Sequence, residues 1–442
     1  MQNGITRRGA ICGLSAAPAL GLLSALPSTP ARAAGGWGTG PRSGLPFWLG
    51  CSNGEYDSLV ALLPSGRSID LANQWETEGP YMDVAVRNTT GWHNQKPHQY
   101  LAAGAAVQWN SSPFCSGSTM VVPDAWPSQA SQVTKDYHLN CSRPPTYTGT
   151  ESQSERVAKQ RRVWQIAADG WLEPVWREKM KLYKRDYFIR RNLRGIRIAL
   201  RACHELNTST TWGNTGYRRS YGMMLLQTID DYLLVNEALR RYFAVFLDVF
   251  GNIQPDITSD YAYADWQLWP HWNVSRSHKG PQDVRLTCPD NARLVGFDFY
   301  NFWPALLTTA AWDQELTRRS PQGWPIGFQT WQSWANSVGK ALAIAEWVLM
   351  SKTMVDGKRA AYEGWDNPVF ITKFLDFCRA NTADIAYVSY FNSDNTASLQ
   401  LPAHLIKTWP GIDDATACAR TPPGDNNRCG ARAFKQWVAA YG

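Results

Sequence analysis

The chain has 442 residues, with 44 Lys and Arg against 37 Asp and Glu, giving a formal net charge of +7. That charge is small and scattered, which excludes nucleic-acid binding as the organising function. Past the first 34 residues, no stretch approaches the ~20 consecutive apolar residues that a membrane span needs.

Taken in chain order, the first element is an address. Thr6-Arg7-Arg8-Gly9 opens a basic segment, an apolar and small-residue run follows to about Leu26, and Ala31-Arg32-Ala33-Ala34 has the small-residue pattern of a cleavage site. Residues 1–34 therefore read as an export signal. The Arg7-Arg8 pair points to the twin-arginine route, with an ordinary secretory signal as the alternative. Its loss removes three arginines and no acid, leaving a mature charge near +4 (7 minus 3). The expected location is the periplasm or the cell exterior. Eight of nine cysteines remain once Cys12 is removed (9 minus 1). An oxidising compartment permits disulfides, and Cys115 with Cys141 and Cys418 with Cys429 are the local pairings the irregular segments favour. Cys203, in an apolar strand, reads as a buried thiol.

Residues 35–442 read as one domain. Strand candidates are Phe47–Gly50, Met82–Val86 and Ala103–Val107, followed by a Ser-, Pro- and Thr-rich insertion over 110–150. A helix is expected from Glu155 to Lys181, then the strand Ile196–Cys203 and a helix from Tyr221 to Phe250. A fifth strand is expected near Ile253–Thr258, weakened by Pro255. Leu294–Tyr300 is a sixth and Ala341–Ala345 a seventh, preceded by the helix Phe328–Gly339. The helix Asn367–Ala380 leads into an eighth strand, Ile385–Phe391. Strands alternating with helices imply a parallel sheet. Eight of them argue for closure into a (β/α)8 TIM barrel, and no glycine-rich phosphate turn supports a doubly wound sheet instead.

In such a barrel the active site gathers at the C-terminal ends of the strands. Strand four ends in Cys203-His204-Glu205-Leu206-Asn207, strand six carries Asp298, Tyr300 and Asn301, and strand seven ends in Ala345-Glu346-Trp347. Glu205 and Glu346 would face each other across the barrel mouth. Two such carboxylates suit glycosidic bond cleavage: one is protonated to serve the leaving oxygen, the other ionised to attack the anomeric carbon or activate water. Twenty-two tryptophans fit sugar stacking, although about half are expected to be core. Asp256 and Asp260 read as solvated loop acids, with a place lining the cleft as the alternative, and His93, His98 and His138 as surface or sugar contacts. No cofactor and no metal is implied.

Arg201-x-x-His204-Glu205-x-Asn207, with Trp212 beyond it, resembles the strand-four motif of glycoside hydrolase family 26. Ala345-Glu346-Trp347 is similar to that family's strand-seven Ser-Glu-Trp, with alanine for serine, and Gly296–Asn301 to its strand-six signature. Asp366-Asn367-Pro368 and Ala386–Asn392 resemble its ending. The resemblance covers about 195–410. It implies a retaining endo-acting hydrolase of β-mannan or a related β-glycan, with Glu205 as acid/base and Glu346 as nucleophile. It also implies that His204 binds sugar beside the cleavage point and that Tyr300 hydrogen-bonds Glu346. Trp212 and Trp347 would form stacking floors, Arg201 and Asn207 would support the glutamates, and Asp298 would line the site. The expected partner is a polysaccharide, and the expected state a monomer. A catalytically silent polysaccharide-binding barrel, and a transglycosylase using the same pair, are the alternatives.

Overall fold

The computed structural model describes residues 37–52, 55–75, 92–111, 113, 152–189, 193, 196–202, 229–251, 258–261, 289–301, 306–319, 325–349, 354–355, 358–359, 366–392, 412–413, 416–418 and 428–442. Eight strands form its centre: β1 (Trp48–Ser52), β2 (Leu71–Trp75), β3 (Ala106–Ser111), β4 (Ile198–Ala202), β5 (Thr258–Tyr261), β6 (Leu294–Asn301), β7 (Ala341–Leu349) and β8 (Ile385–Phe391). Each lies parallel to its neighbours in sequence. β8 pairs back onto β1, from Trp48 opposite Tyr387 to Ser52 opposite Phe391, and so closes the barrel.

Parallel strands cannot be joined by tight hairpins, and among the described residues helices follow every strand but β5: α1 (Tyr56–Val60), α2 (Trp92–Ala102), α3 (Gln153–Ala168), α4 (Glu173–Leu182), α5 (Ile229–Gly251), α6 (Thr309–Leu316), α7 (Phe328–Ser337), α8 (Pro368–Ala380) and α9 (Arg428–Tyr441). The architecture is the (β/α)8 barrel that the alternating pattern implied. None of the helices among the described residues is long and apolar enough to cross a membrane.

Strand alternation divides the core in two. Outward residues such as Val107, Trp109, Ile198 and Leu200 join the helices in one large apolar layer. There Trp109 lies 4.4 Å from Tyr183 and 5.7 Å from Phe250, ring centre to ring centre. Fully burying a side chain such as Phe250 contributes about 1.5–3 kcal/mol. Inward positions are small: Ala106, Ala199, Ala341, Ala343, Ala345 and Ala386 line the interior with Leu71 and Leu294.

The N-terminal mouth is closed by aromatic rings. Trp37 meets Trp48 edge-on at 4.9 Å and leans on Tyr387 at 5.2 Å. The Arg197 guanidinium sits over both indoles, at 5.0 and 4.7 Å, in cation–π geometry. Asp70, just before β2, anchors this lead-in by accepting the N–H groups of Arg42 (2.8 Å), Ser43 (3.0 Å) and Leu49 (2.9 Å). Burial pushes its pKa up, and these hydrogen bonds oppose the rise.

Several boundaries differ from expectation. The second strand is Leu71–Trp75, while Met82–Val86 falls outside the described residues. In β2, Leu71 and Ala72 are followed by buried Asn73 and Gln74, so it lacks the apolar run that marked the other segment. β3 begins at Ala106, because Gly104 turns the chain with φ +98°, a conformation glycine adopts without penalty. The long helix breaks into α3 and α4 at Gly170, φ +84°. The fifth strand is Thr258–Tyr261, which places Asp260 in a strand rather than a loop. The Cys418–Cys429 disulfide is present, with Cα atoms 5.4 Å apart. Cys115, Cys141, Cys203, the 1–34 segment and most of 110–150 lie outside the described residues.

Candidate active site

Three strands deliver charged side chains to one buried cluster. Arg201 projects from β4, Asp298 from β6 and Glu346 from β7, and all three are essentially inaccessible to solvent. Arg201 Nη1 donates to Glu346 Oε1 at 3.1 Å, and Nη2 donates to Asp298 Oδ2. The planar guanidinium suits this role, since its fixed fork can serve two carboxylates at once. Among the described residues, Asp298 Oδ1 is buried without a hydrogen-bond partner. Burial raises the Asp298 pKa, against the Arg201 charge and hydrogen bond and the backbone N–H of Glu346.

The direction in which Glu346 points follows from a bulge. Along β7, Ala341 and Ala343 face the interior while Leu342 and Ile344 face the helices. Strict alternation would send residue 346 outward and residue 347 inward. Phe297 pairs with Ile344 but Asp298 pairs with Glu346, and Val388 pairs with Ile344 but Tyr390 with Trp347. Both neighbours therefore skip one residue of β7, at Ala345. An extra residue inverts the facing of everything after it. Glu346 turns into the barrel and Trp347 turns out.

This corrects the expectation for Trp347. It is fully buried, stacked on Phe374 of α8 at 4.1 Å, and packed edge-on against Tyr390 at 4.7 Å. It belongs to the layer between barrel and helices and forms no floor for a sugar. Trp109, Trp164, Trp176 and Trp331 are equally buried, so much of the tryptophan richness is packing.

Next to Arg201 lies a set of buried amides that the sequence did not single out. Asn110 of β3 is the register partner of Arg201, and Gln108 is the partner of Asn73 on β2. Asn110 Nδ2 donates to Asn73 Oδ1, and Gln108 Nε2 donates to Asn110 Oδ1 at 3.5 Å. The available signal was polar residues at alternate positions of Ala106-Val107-Gln108-Trp109-Asn110. At the same rim, Asn392 Nδ2 donates to the Glu55 carbonyl at 2.9 Å, joining the segment after β8 to the start of α1.

Of the other expected site residues, His204, Glu205, Asn207 and Trp212 lie outside the described residues. Tyr300 is placed in β6 by its backbone, opposite Val348, and its side chain lies outside the description. Asp260 of β5 is in backbone register with Arg201. His98 sits on α2 in the helical shell, half-buried. No group of His, Cys, Asp and Glu that could hold a metal occurs among the described residues.

The arrangement presents a carboxylate, Glu346, oriented by a guanidinium at the C-terminal ends of the barrel strands. A hydrogen bond from a fixed cation stabilises negative charge on that oxygen and holds it in one position.

No family model matches the chain, and no curated protein matches it. Among solved structures, the chain is similar to GH26C from Muricauda sp. MAR_2010_75, at 12% identity and TM-score 0.40, over 79% of this chain and 80% of that one. It is also similar to a Cellulomonas fimi endo-β-1,4-mannanase double mutant, at 12% identity and TM-score 0.36, over 83% and 63%. A third similarity is to fungal β-1,4-galactanases, at 11% identity and TM-score 0.38, over 88% and 99%.

Proposed function

We propose that this protein is an exported, retaining endo-glycosidase of β-linked polysaccharide, with β-mannan or a related β-glycan as substrate class. The observation that carries the reading is the Arg201–Glu346 contact inside the barrel mouth, flanked by Asp298. Glu346 is the nucleophile: its carboxylate attacks the anomeric carbon and forms a glycosyl-enzyme, and the leaving oxygen takes a proton from Glu205. Water, deprotonated by Glu205, then releases the sugar. Arg201 positions Glu346 and favours its ionised form. His204, Asn207, Trp212 and Tyr300 complete the sugar-binding walls. The buried Asn73–Asn110 pair ties β2 to β3 beside Arg201.

The test is a panel of β-mannan, β-glucan, β-xylan, β-galactan and the producer's own exopolysaccharide, with product length and anomeric configuration followed by NMR. Shortened chains whose first-formed ends retain the β configuration support the reading. Longer products built onto an added acceptor would favour transglycosylation. Binding without cleavage on every polymer would favour the silent barrel.

A further inference from the structure

The C-terminal ends of β6 and β7, which carry the two buried acids, are backed by the Asp366-Asn367 pair, with α9 packed on β7. Asp366 is fully buried. Its two oxygens accept the backbone N–H groups of Cys429 and Gly430, each at 2.6 Å, in the first turn of α9. Gly430 packs so closely on β7 that a Cβ there would stand 2.6 Å from Leu349 Cδ1. Leu349 lies three residues beyond Glu346. The next residue, Asn367, donates to the Leu306 carbonyl at 2.8 Å, and the Leu306 N–H donates to Asn301 Oδ1 at 2.8 Å. Asn301 lies three residues beyond Asp298. The Cys418–Cys429 disulfide fastens the residue whose N–H enters the Asp366 contact.

We propose that this disulfide is a redox-sensitive brace that fixes the ends of β6 and β7, and so makes the Asp298–Arg201–Glu346 cluster fully ordered only in an oxidising compartment. In the switching step a small dithiol supplies two electrons and two protons. The S–S bond breaks, Cys418 and Cys429 become thiols, and the dithiol becomes a cyclic disulfide. Residue 429 then loses its covalent anchor. What still holds the 412–418 segment includes the surface pair of Lys435 with Asp413 (2.9 Å) and the burial of Ile412 in the apolar core. The proposal concerns the site assigned above, and only its activity arm rests on the hydrolase reading.

The experiment is amide hydrogen exchange on the full-length folded protein, oxidised and after dithiothreitol, with thiol alkylation confirming that Cys418 and Cys429 are reduced. Exchange is expected to quicken at least tenfold at the ends of β6, β7 and α9, while β2 and β3 are unchanged. Cleavage of the best substrate from the panel should fall in parallel and recover on reoxidation. Unchanged exchange after verified reduction would overturn the brace. A uniform rise over the whole barrel would also overturn it, because the disulfide would then act on global stability alone. The Cys418→Ser/Cys429→Ser variant is a second arm. If it does not fold, the reduced wild type decides. A protein that cleaves no polysaccharide yet shows the local exchange change refutes the hydrolase reading and keeps the brace.

Discussion

Arg201 and Glu346 are 145 residues apart in the chain and 3.1 Å apart in space, both sealed from solvent inside the barrel. Arg201 also holds Asp298, so one guanidinium bridges two carboxyl groups brought in by different strands. Breaking a buried ion pair by removing one partner costs about 3–5 kcal/mol, because the other charge is left uncompensated. Arg201→Ala should lose stability on that scale in urea denaturation. Arg201→Lys keeps the charge but not the fork, and should fold while losing kcat on the order of 100-fold, the effect of a displacement of about 1 Å. A lysine variant with full turnover would show that the fork is irrelevant to the chemistry.

The assignment of roles to the two glutamates has a stereochemical signature. Glu346→Ala should be inactive and folded, and azide should restore cleavage of an activated substrate with inverted configuration, since the anion enters from the vacated side. Glu205→Ala should form the covalent intermediate from substrates with good leaving groups and then stall. Azide should then give the retained product. Product NMR checks both, and exchanged configurations would mean that the roles are reversed.

Trp347 offers a separation between packing and recognition. Stacked on Phe374 and inaccessible, it should cost about 3–5 kcal/mol when cut to alanine, read as a lowered urea midpoint. KM for polysaccharide should not move. A raised KM with unchanged stability would restore it to the sugar site.

Glu315 of α6 is buried, and desolvation outweighs the attraction of Arg318 at 3.1 Å, placing its pKa at about 7. The folded state therefore holds a proton that the unfolded chain releases near pH 4.5. This contribution is complete below pH 4.5 and is lost as pH rises to 7, worth up to roughly 3 kcal/mol by linkage. Glu315→Gln should flatten the decline. Denaturation midpoints of both proteins from pH 5 to 8 measure it, and parallel curves would sink the assignment.

The strand and helix rhythm was legible because most strands are continuous apolar runs, and β8 was bounded to the residue. β2 was missed for the opposite reason: after Leu71 its next inward residue, Asn73, is polar and holds Asn110. Arg201, Asp298 and Glu346 were visible as charged residues among apolar ones. The facing of Trp347 was not, because the bulge at Ala345 arises from pairing with two other strands and leaves no local mark. Residue 347 keeps its place in the sequence and changes sides in the fold.

The seam between β1 and β8 also sets a timetable. Asn392 donates to the carbonyl of Glu55 across 337 residues, and all five residues of β1 find partners on β8. At about 5–20 residues per second of synthesis, one edge of β1 stays open for roughly 20–70 s before its partner exists. An unpaired strand edge is a template for the wrong neighbour, and contacts this distant in sequence form slowly. Until residue 391 emerges, the nascent chain carries an adhesive border. The final strand is therefore also the step that ends its exposure to aggregation.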